Sequence, residues 1–186
     1  MKKFNFTKLS EKLPSTVPFV GPETQERLNN RLFAARLGAN ENVFGPSPLA
    51  IRAMKKEAEK IWMYGDPENH DLKLQLAKKH AVQSENIVVG EGIDGLLGYL
   101  CRLFIEPGDR VVSSLGAYPT FNFHVAGYGG QLDTVPYVND YEDPESLVEK
   151  ARETNAKLCY LANPDNPMGT WNSGKKIEKV VNNIPD

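Results

Sequence analysis

From residue 86 onward, short apolar segments alternate with amphipathic segments of helical length, and this alternation restricts the fold more than any other feature. The predicted strands are 86–90, 110–114, 131–136 and 157–162. The predicted helices are 93–105, 118–127, 143–154 and 173–183. Strands that alternate with helices of this length indicate an α/β protein with a mostly parallel sheet and flanking helices.

The first 85 residues are organised differently. Residues 1–35 are polar and contain several prolines, and they are predicted to form an arm with at most one short helix around Glu23–Leu32. Ser47-Pro48 predicts the start of a helix that reaches about Ile61, because serine accepts hydrogen bonds from free amides and proline fits the first turn. The spacing of apolar residues predicts a further helix over 71–80.

Composition and charge exclude several classes of function. Hydrophobic residues make up 40% and charged residues 25% of the 186, which is typical of globular proteins. The 22 basic and 24 acidic residues give a net charge of −2 without a basic block, so neither nucleic acid nor an anionic membrane surface is expected as a partner. The apolar runs are too short to cross a bilayer, and the first residues do not resemble a secretory signal.

The cysteines and histidines carry little functional signal. Cys101 and Cys159 form no C-x-x-C pair, which predicts two buried, reduced thiols in a cytoplasmic protein. His70, His80 and His124 lack the spacing of metal ligands, so no metal site is expected. No G-x-S-x-G occurs, which argues against a serine hydrolase of the α/β type.

The stretch VVGEGIDGLL contains a G-x-G-x-x-G between a predicted strand and a predicted helix. A dinucleotide site also needs an acidic residue about 20 positions further on, at the end of the next strand. That strand is followed instead by Leu115-Gly116-Ala117-Tyr118, so a dinucleotide site is not predicted. A glycine turn that enters a helix still offers free amides and the positive end of the helix dipole, which suits a phosphate group; a tight turn without a ligand is the alternative.

Two further segments follow predicted strands and should lie at the same edge of the sheet. Tyr118 would place an aromatic ring there, although ordinary loop packing is the alternative. Residues 163–169, NPDNPMG, hold Asn166 on a backbone restricted by two prolines and a glycine, and the same pattern is also a strong turn signal. Together with the glycine turn, these residues predict a pocket for a phosphorylated aromatic cofactor.

In these segments the chain resembles the N-terminal half of the fold-type I pyridoxal-phosphate-dependent aminotransferases of class I/II, in particular the histidinol-phosphate aminotransferase branch. The resemblance covers roughly residues 30–184. It is carried by the segments 39–47, 64–66, 90–94 and 163–169. It implies that residues 39–186 form part of the large cofactor-binding domain, which is incomplete, and that 1–38 form an N-terminal arm or small-domain segment.

The resemblance also implies roles for individual residues toward pyridoxal 5'-phosphate. The turn at Gly92 and the amides of Ile93 and Asp94 would bind the phosphate. Tyr118 would stack on the pyridine ring, and Asn166 would donate a hydrogen bond to the phenolic oxygen of that ring.

Residues near the start of the resemblance imply a homodimer. Tyr64 would reach the cofactor phosphate of the partner subunit, and Asn40 and Asn42 would lie beside the substrate entrance.

The implied reaction moves an amino group between an amino acid, or an amino-alcohol phosphate, and a 2-oxo acid. A few positions depart from the usual pattern of the branch and leave the amino donor open; they are Val43, Gly65, Gly116, Ala117 and Met168.

The family's Schiff-base lysine, and the aspartate that pairs with the pyridine nitrogen, are expected beyond residue 186. The chain is therefore predicted to contain no catalytic residue and to be inactive alone. Lys175 and Lys176 imitate the spacing of the lysine motif but open the last predicted helix, where we expect them to be solvated. Two alternatives remain: a pyridoxal-phosphate-dependent decarboxylase or lyase of the same fold, and a truncated, non-catalytic paralogue that binds the cofactor or phosphate.

Overall fold

The computed structural model describes residues 4–14 and 19–185. Its contacts divide the chain into two compact units, one made of 1–19 with 90–186 and the other of 20–89. The helices are α1 Lys8–Lys12, α2 Pro22–Asn29, α3 Pro48–Glu57, α4 His70–His80, α5 Gly92–Phe104, α6 Pro119–Gly127, α7 Pro144–Thr154 and α8 Gly174–Asn183. The strands are β1 Arg110–Ser114, β2 Gln131–Val135 and β3 Leu158–Cys159, and single 3-10 turns occupy Ala58–Lys60 and Ser84–Asn86.

The three strands form a parallel sheet in the order β2-β1-β3. Arg110 lies opposite Gln131, and Val111 lies opposite Leu158, so β1 is the central strand. The helices α6 and α7 each return the chain from the end of one strand to the edge where the next parallel strand begins. The predicted α/β class with a parallel sheet and flanking helices is therefore confirmed.

The core lies on both faces of β1. On one face, Val111 packs in a cluster with residues of α5 and α6, including Leu97 and Phe121. On the other face, Val112 packs with Leu147 of α7. Burial of apolar side chains of this size stabilises a fold by about 1.5–3 kcal/mol each, so these two layers hold the carboxyl end of β1 in place.

Two of the predicted strands differ from the structure. Residues 86–90 form no strand, because their backbone pairs with no other strand among the described residues. The segment predicted over 157–162 is a strand only at Leu158–Cys159. Its ladder ends early because the amide of Ala162 donates to the Glu142 carboxylate, at 2.8 Å, rather than to a neighbouring strand.

The expectation of at most one helix in the N-terminal arm was wrong. Thr7 accepts a hydrogen bond from the amide of Ser10 and starts α1, and α2 follows separately. In the unit 20–89, the predicted cap of α3 is present, since the Ser47 hydroxyl accepts from the amide of Leu49. This helix ends at Glu57 and continues only as a 3-10 turn to Lys60, close to the predicted end.

Three expectations from composition and organisation have different outcomes. Cys101 is buried, but Cys159 is only partly buried, so the prediction of two buried thiols holds for one of them. Within 4–14 and 19–185, each helix is either too short or too polar to span a bilayer. The domain boundary after residue 38 stays a prediction.

Candidate functional site

The glycine turn leads directly into α5 and exposes backbone amides. Gly92 has a φ of +71°, a conformation that glycine adopts without steric cost, and its amide donates to the Gly90 carbonyl at 2.9 Å. Among the described residues no side chain caps this end of α5, and the amides of Ile93 and Asp94 have no acceptor. A Cβ at Gly92 would meet no atom within 4 Å, so the space around the turn is open. The turn can therefore accept an anion.

Two carboxylates lie beside these amides, and both are bound by side chains. Glu91 Oε2 accepts a hydrogen bond from the Tyr99 hydroxyl at 2.8 Å, and this bond is the main cause that lowers the pKa of Glu91. Asp94 Oδ1 lies 2.7 Å from Nε2 of His124, which belongs to α6. Neither carboxylate acts as a cap for α5.

Tyr118 lies after the end of β1 and immediately before α6. Gly116 turns the chain there with a φ of +99°, and Ala117 is buried. The Tyr118 ring is half-buried and packs against the cluster around Val111. The predicted aromatic ring after β1 is therefore present in the same unit as the glycine turn.

The third segment is a closed loop after β3. Asp165 is buried and accepts hydrogen bonds from the Tyr137 hydroxyl at 3.0 Å and from the amide of Met168 at 2.9 Å. Asn163 and Asn172 bridge the base of the loop, since the Asn172 amide donates to Asn163 Oδ1 at 2.8 Å. Asn166, which this loop carries, is half-buried, and its side chain makes no hydrogen bond among the described residues. Its amide group is thus available as a donor.

Sequence reasoning missed Glu142, which is 2% exposed and joins two of these segments. Its Oε2 accepts from the Ser114 hydroxyl at 2.6 Å, and its Oε1 accepts from the Ala162 amide at 2.8 Å. Burial raises the pKa of Glu142, and the nearby charge of Asp165 raises it further. In the sequence Glu142 precedes the helix cap Asp143 and gives no signal of its own.

The remaining predicted site residues lie in the unit 20–89. Asn42 Oδ1 accepts from the amide of Phe44 at 3.1 Å, and Asn40 has a left-handed backbone with a φ of +56°. The Tyr64 side chain is fully exposed. Their roles at the substrate entrance and at the partner's phosphate stay predictions, as do the roles of the residues in the other unit. Among the described residues, no three His, Cys, Asp or Glu side chains cluster as metal ligands would.

The fold and the site define a protein of the fold-type I class, represented by its N-terminal part. More narrowly, the chain belongs to the aminotransferase class I and II family, whose model matches residues 35–186. The resemblance to that family is thus confirmed.

Within this family, the chain is similar to histidinol-phosphate aminotransferases. It is 30% identical over 181 residues to a histidinol-phosphate aminotransferase of Moorella thermoacetica, a match that covers 96% of this chain and 47% of the relative. The crystal structure of histidinol-phosphate aminotransferase from Sinorhizobium meliloti, in complex with pyridoxal-5'-phosphate, superposes with a TM-score of 0.93 and 51% identity. That match covers 99% of this chain and 49% of the other, so the chain spans about half the length of the relatives.

L-threonine-O-3-phosphate decarboxylase from Porphyromonas gingivalis shares the fold alone. Its TM-score is 0.64 and its identity 21%, over 75% of this chain and 42% of that one.

Proposed function

We propose that the chain forms the N-terminal half of a pyridoxal-phosphate-dependent aminotransferase of the histidinol-phosphate type. The reaction would move an amino group between an amino acid, or an amino-alcohol phosphate, and a 2-oxo acid. The observation that carries the proposal is the match to the Sinorhizobium meliloti enzyme over 99% of this chain at 51% identity. The decarboxylase or lyase alternative rests on likeness of fold alone, and nothing in the site favours it.

The residues present fit the cofactor. The amides of Ile93 and Asp94 would bind its phosphate at the positive end of α5. Their lack of acceptors among the described residues, and the open space at Gly92, support this assignment. When bound, pyridoxal 5'-phosphate supplies an electron sink that stabilises negative charge at the α-carbon of the substrate.

The other residues would orient the ring. Tyr118 would cover one face of the pyridine ring and exclude water from it, since aromatic rings stack favourably with an offset. Asn166 would donate its side-chain amide to the phenolic oxygen. The buried carboxylates of Asp165 and Glu142 bind backbone amides in and just before the loop that carries Asn166, and they would thereby hold this loop in position.

The protein is further proposed to act as a homodimer in the cytoplasm. The exposed ring of Tyr64 supports the dimer, because in this arrangement it would reach the phosphate bound by the partner subunit. The two free cysteines support a reducing compartment.

The experiment that tests the proposal compares binding of pyridoxamine 5'-phosphate with binding of pyridoxamine by the purified chain. Both probes are fluorescent amines, so they do not react with surface lysines as the aldehyde would. We expect the phosphorylated probe to bind at least about tenfold more tightly, since each factor of ten corresponds to about 1.4 kcal/mol. Equal binding of the two probes, or no binding of either, would contradict the proposal.

The activity itself is tested separately, with the product of the gene that encodes this chain. Amino transfer from histidinol phosphate to 2-oxoglutarate is expected, with a higher kcat/KM than transfer from histidine. A strong preference for any other amino donor would remove the histidinol-phosphate assignment and leave the cofactor assignment intact.

A further inference from the structure

Asp94 occupies a position from which its carboxylate could block the phosphate site. It is the third residue of α5 and lies in the first turn, where acidic side chains are attracted to the free amides and to the positive end of the helix dipole. Here the end of α5 has no side-chain cap among the described residues. Asp94 Oδ1 is instead 2.7 Å from Nε2 of His124.

The position of His124 is fixed by its packing against α5. A Cβ added at Gly98 would lie 3.0 Å from Cε1 and 3.2 Å from Nδ1 of His124, so the glycine lets the ring pack closely against α5. The His124 side chain is 23% exposed, whereas the Asp94 side chain is 65% exposed. The partly buried ring therefore holds the exposed carboxylate in place.

We propose that His124 is a positioning residue for phosphate binding, which holds the Asp94 carboxylate away from the amides of Ile93 and Asp94. The inference rests on the proposed function, since it takes these amides as the phosphate site. Without His124, the carboxylate is free to accept from the same amides, and its negative charge then competes directly with the phosphate.

The second carboxylate beside the turn is held in a similar way. Glu91 Oε2 accepts from the hydroxyl of Tyr99, two turns further along α5. Both acidic side chains that flank the free amides are thus bound to aromatic donors and not to the helix end. His124 differs from Tyr99 because it comes from another helix, so it also joins α6 to the phosphate site.

The test uses variants of the purified 186-residue chain and the probes pyridoxamine 5'-phosphate and pyridoxamine. His124→Leu removes the donor and should weaken binding of the phosphorylated probe about tenfold, while binding of pyridoxamine stays unchanged. His124→Gln retains a donor for Asp94 and should stay within about threefold of the wild type. Adding Asp94→Asn to His124→Leu removes the competing charge and should restore most of the lost affinity.

His80→Leu is the matched control, since His80 is an exposed histidine at the end of α4, and it should leave both affinities unchanged. Circular dichroism and a thermal melt show whether each variant is folded. If His124→Leu is misfolded, the comparison of His124→Gln with the double variant His124→Gln and Asp94→Asn decides, because the proposal requires the two to bind the phosphorylated probe alike.

Two results overturn the inference. One is a folded His124→Leu that keeps the wild-type preference for the phosphorylated probe. The other is a failure of Asp94→Asn to restore that preference, which would make His124 merely structural. If the wild-type chain binds the two probes equally, the proposed function itself fails. If the wild type prefers the phosphorylated probe and a folded His124→Leu keeps that preference, only the role of His124 fails.

Discussion

Glu142 accepts a hydrogen bond from the hydroxyl of Ser114 at 2.6 Å, and both side chains are shielded from solvent. Ser114 is the last residue of β1, and the other oxygen of Glu142 binds the amide of Ala162, one residue before the loop that carries Asn166. One carboxylate thus joins the end of β1 to the start of the loop that carries Asn166. Its removal should affect both stability and the geometry of the loop.

Glu142→Ala should lower the free energy of unfolding by about 2–4 kcal/mol. The variant leaves the Ser114 hydroxyl and the Ala162 amide without an acceptor, and each buried unsatisfied donor costs about 1–3 kcal/mol. Glu142→Gln retains an acceptor and should cost about 1 kcal/mol. Urea unfolding followed by circular dichroism measures both values, and Glu149→Ala on the exposed face of α7 is the control. A loss below about 1 kcal/mol for Glu142→Ala would show that the network does not stabilise the fold.

The same carboxyl should make stability depend on pH. Because burial raises the pKa of Glu142, the folded chain binds its proton more tightly than the unfolded chain does. Stability is therefore lost as the pH rises from the unfolded value, about 4.3, through the raised folded value. Urea unfolding between pH 4 and 8 should show the wild type losing stability relative to Glu142→Gln as the pH increases. A constant difference, or one of opposite slope, would refute this assignment.

Much of the fold could be predicted from sequence because its signals are local. Asp143-Pro144 predicts the start of α7, and in the structure the Asp143 carboxylate accepts from the amide of Glu145 at 3.2 Å. The prediction of a strand over 86–90 was wrong. A strand needs a neighbouring strand to pair with, and a pattern of apolar residues does not reveal whether one is present.

The candidate site was only partly predictable for a similar reason. The glycine turn, Tyr118 and Asn166 stand in recognisable motifs, and the structure shows the first exposed and the other two half-buried in one unit. Glu142 binds partners 28 and 20 positions away, and His124 binds one 30 positions away. No periodicity or spacing connects such pairs, so only the folded chain shows them.

Gly92→Ala tests the glycine turn. A φ of +71° is unfavourable for alanine by about 1–2 kcal/mol, so the turn should change conformation or lose stability. Binding of pyridoxamine 5'-phosphate should weaken about fivefold or more, since the amides move with the turn. Gly127→Ala is the control, because residue 127 has ordinary helical geometry and an added Cβ there meets no atom within 4 Å. Unchanged affinity in a folded Gly92→Ala would separate phosphate binding from this turn.

Tyr118→Ala should weaken binding of pyridoxamine 5'-phosphate and of pyridoxamine by the same factor, because the ring would contact the pyridine and not the phosphate. A stacked aromatic pair contributes about 0.5–1.5 kcal/mol beyond buried area, which corresponds to about two- to tenfold in affinity. Tyr118→Phe keeps the ring and should bind both probes as the wild type does. Fluorescence titration with the two probes measures the ratio, and this pattern differs from that expected for His124→Leu, which should affect only the phosphorylated probe. If Tyr118→Ala weakens binding of the phosphorylated probe alone, Tyr118 contacts the phosphate and not the ring. If the wild type, Tyr118→Ala and Tyr118→Phe bind both probes with equal affinity, Tyr118 is not part of the site.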